Sequence, residues 1–560
     1  HFSISDKFSF IIHKYYCSII FNMKKAQTLF IGAGVVAIMA VIGGAYLCHN
    51  HFNRAQQTHT YPTTQFGAFL AAQHAIYVND FDSAAKFAGK LTDVEYATVQ
   101  STKFLSEFLS GHMPDEIIVL EEEKNTASRL IYDAYLVQND KWDEMYSRHK
   151  KDTSALAAPL RIWSGIATNH ITKTLEFIRE LPTNESWQHF VSGQIYAETG
   201  KIDRAAEEFA NVSTDFLNIN DYMYLMSFYQ HHDLMDDAER LHNDFTARPG
   251  GMYMLDYNNI PDWSMFSGYK NQLAFSLVQT VSHTQIMMYS DLAILLLRFA
   301  QITSPLFGQT SDAVNYYLGQ FFYNNTGNYR SFFDKIPVDS PFYLFAVLRD
   351  AERSGDIKTL ERATEQNPLF VPAVNKLIAY NIQNNDKRGA LRVVNAALDD
   401  ENLNELGHAF FVKSRAHIYY MFEDFESAQT DLHDASETLP LDGEILALQA
   451  KIWAAQGRNI EDAYDYAMTL VRQDPTDIMA WDTLGRVVTV REGAQPALDV
   501  IARVGEISNS CSSLFEQLGD LYVALGDEKL ALDAYQRAID LSDDGLVIIK
   551  KVEKKIRNLK

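Results

Sequence analysis

Cysteine is nearly missing from this chain. Cys17, Cys48 and Cys511 are all it has in 560 residues. No pair of them is placed to staple a domain, so no disulfide framework is implied, and an oxidising compartment is neither required nor excluded. Positive charge is scarce as well: 49 Lys and Arg stand against 72 Asp and Glu, a net charge of −23. Binding a phosphate backbone takes clustered Lys and Arg, so nucleic acid is not an expected partner. The acidic surplus keeps a long chain soluble. The sequence patterns of catalysis are absent too: there is no P-loop, dinucleotide glycine turn, H-E-x-x-H, paired C-x-x-C or G-x-S-x-G. The only histidine doublet, His231-His232, reads as a solvated turn, and Cys48-His49-Asn50-His51 has no further ligands near it. No catalytic residue, cofactor site or metal site is expected.

Long apolar runs are rare, with one exception. Leu29 to Cys48 (LFIGAGVVAIMAVIGGAYLC) carries no charge. At about 1.5 Å per residue, roughly 20 helical residues span a hydrocarbon core of about 30 Å. Lys24 and Lys25 precede it, and by the positive-inside rule they hold the N-terminal side in the cytoplasm while the rest crosses. Cleavage at Gly43-Gly44-Ala45, releasing a soluble product, is the alternative. Residues 1–22 show no pattern, whereas Met23-Lys24-Lys25 looks like a start; 1–22 read as an upstream extension or short cytoplasmic tail. Residues 23–55 are then a signal-anchor segment and its flank, and 56–65 a linker.

What the chain has in abundance is helical hairpins. Trp481, Leu484, Gly485 and Val488 recur 34 residues later as Phe515, Leu518, Gly519 and Tyr522, and Ala497 recurs as Ala531. A 34-residue period with a large-x-x-Leu-Gly-x-x-large pattern and a lone small residue later in the unit describes two antiparallel helices that cross closely. Small residues are needed at the crossing, and large ones fill the grooves around it. The pattern is clearest over 407–541 within a block spanning 341–544. Weaker copies run through 66–245, for example Gly193, Tyr196, Gly200, Ala205 and Phe209. Between 246 and 340 it blurs into an irregular, aromatic-rich helical section; Ile286 to Ile302 reads as a helix buried all round, and Gly319 hints at one degenerate repeat. Residues 545–560 form a final capping helix, with Leu546, Ile549, Val552, Ile556 and Leu559 on one face and lysines opposite.

This block resembles the tetratricopeptide repeat family, and the whole layout is similar to membrane-anchored or exported tetratricopeptide proteins of Gram-negative bacteria. The resemblance implies an all-α fold, an α-solenoid of antiparallel helix pairs behind an N-terminal transmembrane helix. It implies a non-enzymatic scaffold that binds proteins or peptides. The expected location is the inner membrane, single-pass, with the repeats in the periplasm; a free periplasmic or secreted protein is the alternative. Self-association through the irregular section, giving a homo-oligomer, stays open. In such repeats the first helices line the ligand face, which here would present Asn375, Lys376, Lys413, His417, Tyr420, Lys451 and Arg486. A basic side chain on successive helices suits an acidic segment or a terminal carboxylate. The family's chaperone-tail clamp is not reproduced, because His417, Leu448 and Thr483 replace its Asn, Asn and Arg.

Overall fold

The computed structural model describes residues 64–91, 97–114, 125–247, 260–283, 291–304, 306–325, 328–401, 403–505, 511–542 and 545–559. The chain divides into two compact units, His1–Ala71 and Ala72–Lys560. Of the first, the described part is the opening of the Gln65–Tyr77 helix. The expected membrane segment Leu29 to Cys48 lies outside the described residues, and among those that are described no helix is long and apolar enough to cross a membrane. The described residues of the second unit form helices and turns, with no strand among them.

In the second unit helices follow one another as antiparallel pairs. The C-terminal pairs are Val371–Gln383 with Lys387–Leu398, Glu405–Met421 with Phe425–Thr438, Gly443–Gln456 with Ile460–Gln473, Ile478–Glu492 with Ala494–Gly505, and Ser512–Leu525 with Glu528–Asp540. Their turns have a sequence cause. One residue enters the left-handed region, as at Asn385 (φ 61°), Glu423 (φ 63°) and Gly526 (φ 83°). In three of the five pairs the next residue is an aspartate that caps the second helix: Asp386, Asp424 and Asp527 accept from the backbone N–H of Gly389, Ser427 and Leu530.

Glycines determine how closely paired helices approach. A Cβ on Gly519 would stand 2.3 Å from the Tyr535 ring, and one on Gly193 would stand 2.3 Å from Phe209. On Gly485 it would meet Ile501 at 2.7 Å. In all three the bulky residue follows its glycine at the same spacing, so the first helix leaves a notch into which the second seats a large side chain. Gly319 does the same for Phe333 at 2.2 Å, which gives the blurred section one hairpin of the same build, from Asp312–Asn324 and Arg330–Phe333.

The two halves bury their cores differently. From Phe81 to Ala346 the buried side chains merge into one cluster, whereas beyond it the core breaks into smaller clusters at successive hairpins. The irregular section causes the merger, because its helices Tyr269–His283 and Asp291–Thr303 pack on the first helices of the earlier hairpins. Trp163 donates its indole N–H to Ser276 Oγ at 2.8 Å, and Phe190 stacks on Phe275 with centroids 6.0 Å apart. His283 meets Asp221 at 2.6 Å, and Arg298 donates to the Leu109 carbonyl at 2.7 Å. Every residue from Ala293 to Ala300 is buried. These described helices are committed to packing within the chain.

Candidate functional site

The seven side chains singled out in the sequence all lie on first helices of the C-terminal array. The structure brings three of them together. Lys451 reaches Asp482 at 2.7 Å, and Arg486 reaches the same carboxylate at 3.3 Å from one turn along its own helix. Arg486 also donates to Ser513 Oγ at 2.8 Å, and that hydroxyl donates to Asp482. Asp482 itself has no exposed surface. Burial pushes its pKa up, but Arg486 and Lys451 outweigh burial and hold it at about 2. His417 lies close enough to feel this charge: burial and the Lys451 ammonium press its pKa down to about 4, so it is neutral at pH 7.

Lys413 has carboxylate partners of its own, one of which, Glu444, also acts on His417. Its ammonium lies 2.9 Å from Asp442 and 2.6 Å from Glu444. Burial works against its charge, yet Glu444 and Asp442 raise its pKa above the ordinary value. Tyr420 is half-buried beside the Phe425 ring. Asn375 and Lys376 stand apart from these ion pairs, on an open cleft of about 430 Å³ that they line with Tyr316, Phe345, Arg349 and Glu352. Asn375 is exposed, and no carboxylate among the described residues lies within ion-pair distance of Lys376. Most of the cation array is thus balanced by carboxylates of the same chain, which sequence spacing did not show. Asp482 follows the motif residue Trp481 directly, and its equivalent one period later, Glu516, is also acidic; this was the available signal.

The chain's own C-terminal segment reaches the same face. The final helix begins at Ile549 and runs to Leu559. Val552 is buried with Ala531, Tyr535 and Ala538 of the last hairpin, and Ile556 and Leu559 pack there too. The residues just before the helix go elsewhere. Ile548 is buried among Val374, Ile378, Phe411 and Ile418, and Gly545 lies so near Ala379 that a Cβ would stand 2.5 Å from its methyl. Beyond covering the last hairpin, the segment reaches first helices that begin at Val371 and Glu405.

Residues 512–544 match the tetratricopeptide repeat family model, which agrees with the Gly519–Tyr535 crossing. No curated protein matches the chain in sequence. Among solved structures, yeast Tom70 is similar at 12% identity, covering 77% of this chain and 95% of that one with a TM-score of 0.27. The APC/C hetero-tetramer Cut9-Hcn1 is similar at 13% identity, with 88% and 96% coverage and a TM-score of 0.30. Naa15/Naa10 bound to HypK-THB is similar at 11%, with 90% and 92% coverage and a TM-score of 0.25. Superpositions this loose carry no argument about function. The tetratricopeptide resemblance stands on the matched residues and the repeated crossings.

Proposed function

We propose that this protein is a non-enzymatic scaffold holding protein or peptide segments against the first helices of residues 371–525. The observation that supports it is that this face already accommodates residues 545–548 of the chain, with Lys555 of the following helix reaching Glu516 and Asp520 on the Ser512–Leu525 helix. Successive first helices supply apolar seats between carboxylates, and a bound segment gains by covering them. An acidic ligand would have to displace Asp442, Glu444 and Asp482 from Lys413, Lys451 and Arg486. Asn375 and Lys376 are the part of that array left open to one. In this proposal Leu29 to Cys48 tethers the scaffold to the inner membrane with its repeats in the periplasm, and a cleaved, free periplasmic form is the alternative.

Photocrosslinking tests the binding face. A photoreactive residue at Lys376 or Glu423 should trap a protein segment in living cells, and one at the exposed Gln536, on a second helix, should not. Equal trapping from all three positions would remove this face as the site. For the membrane tether, the expected result is full-length chain retained in a carbonate-washed membrane pellet; soluble chain starting beyond Ala45 selects the alternative.

A further inference from the structure

We propose that residues 545–559 are a built-in stand-in for the ligand, and that the ligand itself is a basic, amphipathic helical segment of a partner protein. This rests on the first-helix face being a peptide seat. It reverses the sign of ligand that the cation spacing suggested. Three carboxylates on or beside this face, Glu423, Glu516 and Asp520, are met by lysines of the segment. Lys551 Nζ lies 2.7 Å from Glu423 Oε1 and donates to the Met421 carbonyl at 3.3 Å. Lys555 Nζ lies 2.8 Å from both Glu516 and Asp520. Ile548, on the same short segment, fills an apolar seat on the first helices, and Val552 anchors the segment on the second helix of the last hairpin. Basic and apolar residues thus alternate around one helix, and their counterparts stand on hairpins more than 90 residues apart in sequence.

Two further observations favour an exchangeable occupant of this kind. Among the described non-glycine residues with positive φ, all are Asn or Asp except Glu423 (φ 63°). A long side chain is costly in that conformation, and the strain falls at the residue whose carboxylate grips Lys551. The segment is also lightly held. In the N-terminal half the helix on the equivalent face is buried at every position from Ala293 to Ala300. Here Lys550, Glu553, Lys554, Arg557 and Asn558 are exposed, and Val547, Ile548 and Val552 are the buried apolar side chains. A helix of 11 residues is marginal on its own in water, so a longer partner helix of the same pattern competes with it well.

The test uses a labelled synthetic peptide with the sequence of residues 545–559, followed by anisotropy, and the chain with its own segment weakened by Ile548→Asp, Lys551→Glu and Lys555→Glu. The peptide should bind this variant roughly 10-fold or more tighter than it binds the natural chain, where the resident segment competes. A peptide with the lysines equivalent to Lys551 and Lys555 changed to glutamate should not bind. Hydrogen exchange on the natural chain keeps the test independent of the variant's folding: excess peptide should speed exchange of amides in 549–559 and leave those of 405–421 protected. Unchanged exchange at high peptide overturns the proposal. If an acidic peptide binds the variant better, the basic-ligand proposal fails and the peptide seat stands; if neither peptide binds a folded variant, both fail. Peptide-independent dimerisation of the variant would mean that the occupant is a second copy's segment, and would also overturn the proposal.

Discussion

Asp482 has no exposed surface yet stays ionised, because Lys451 and Arg486 converge on it from two adjacent hairpins. Asp482→Asn would keep the shape and leave the buried Lys451 and the half-buried Arg486 without their counter-charge. We expect a loss of about 3–5 kcal/mol, read as a lowered urea midpoint. Acid should act through the same carboxylate. Its pKa is about 2 in the folded chain against an ordinary 3.8, so the unfolded chain binds the proton first as pH falls. The stabilisation is complete above about pH 5 and is lost progressively as pH falls from there to about 1, amounting to roughly 2 kcal/mol. A urea series over that range should show the decline in the natural chain and a smaller one in Asp482→Asn. None of this was legible from the cation spacing. A lysine at a first-helix position reads as free in sequence, and only the neighbouring hairpin reveals whether a carboxylate meets it.

The hairpin is the element whose sequence is most explicit. Gly519 and Tyr535 are a notch and its filler, and the notch cannot take a methyl without moving an aromatic ring. Gly519→Ala should therefore overpack the crossing and cost ~1–3 kcal/mol, measured as a lowered thermal midpoint. Tyr535→Leu added to Gly519→Ala should recover part of that loss, because a smaller filler gives the methyl room. The same notch is readable at Gly193 and Gly485, and more faintly at Gly319, because the spacing to the filler is local along the chain. The final helix is the opposite case. Its apolar stripe was visible, but Ile548 packs on helices that begin at Val371 and Glu405, and no period connects positions that far apart.

Across the second unit, the merged core from Phe81 to Ala346 should behave as one cooperative body, and the C-terminal hairpins as linked smaller ones. Leu296 is fully buried on the Asp291–Thr303 helix. Leu296→Ala should cost about 2–5 kcal/mol, and hydrogen exchange should report that loss throughout 126–231 while 443–540 stays unchanged. Loss confined to the 291–303 helix would contradict a shared core. By itself the sequence determined the repeated hairpins, their turns, their caps and their notches, because each of these is a relation between residues within one period. Only the tertiary structure decided what fills the first-helix faces and which charges remain open on them. Those depend on contacts between different hairpins, from neighbours such as Lys413 and Asp442 or Lys451 and Asp482 to distant pairs such as Asn218 and Ser282 or Phe81 and Phe321. An apolar helix occupies one face and a lysine-bearing segment the other, and local periodicity carries no record of either partner.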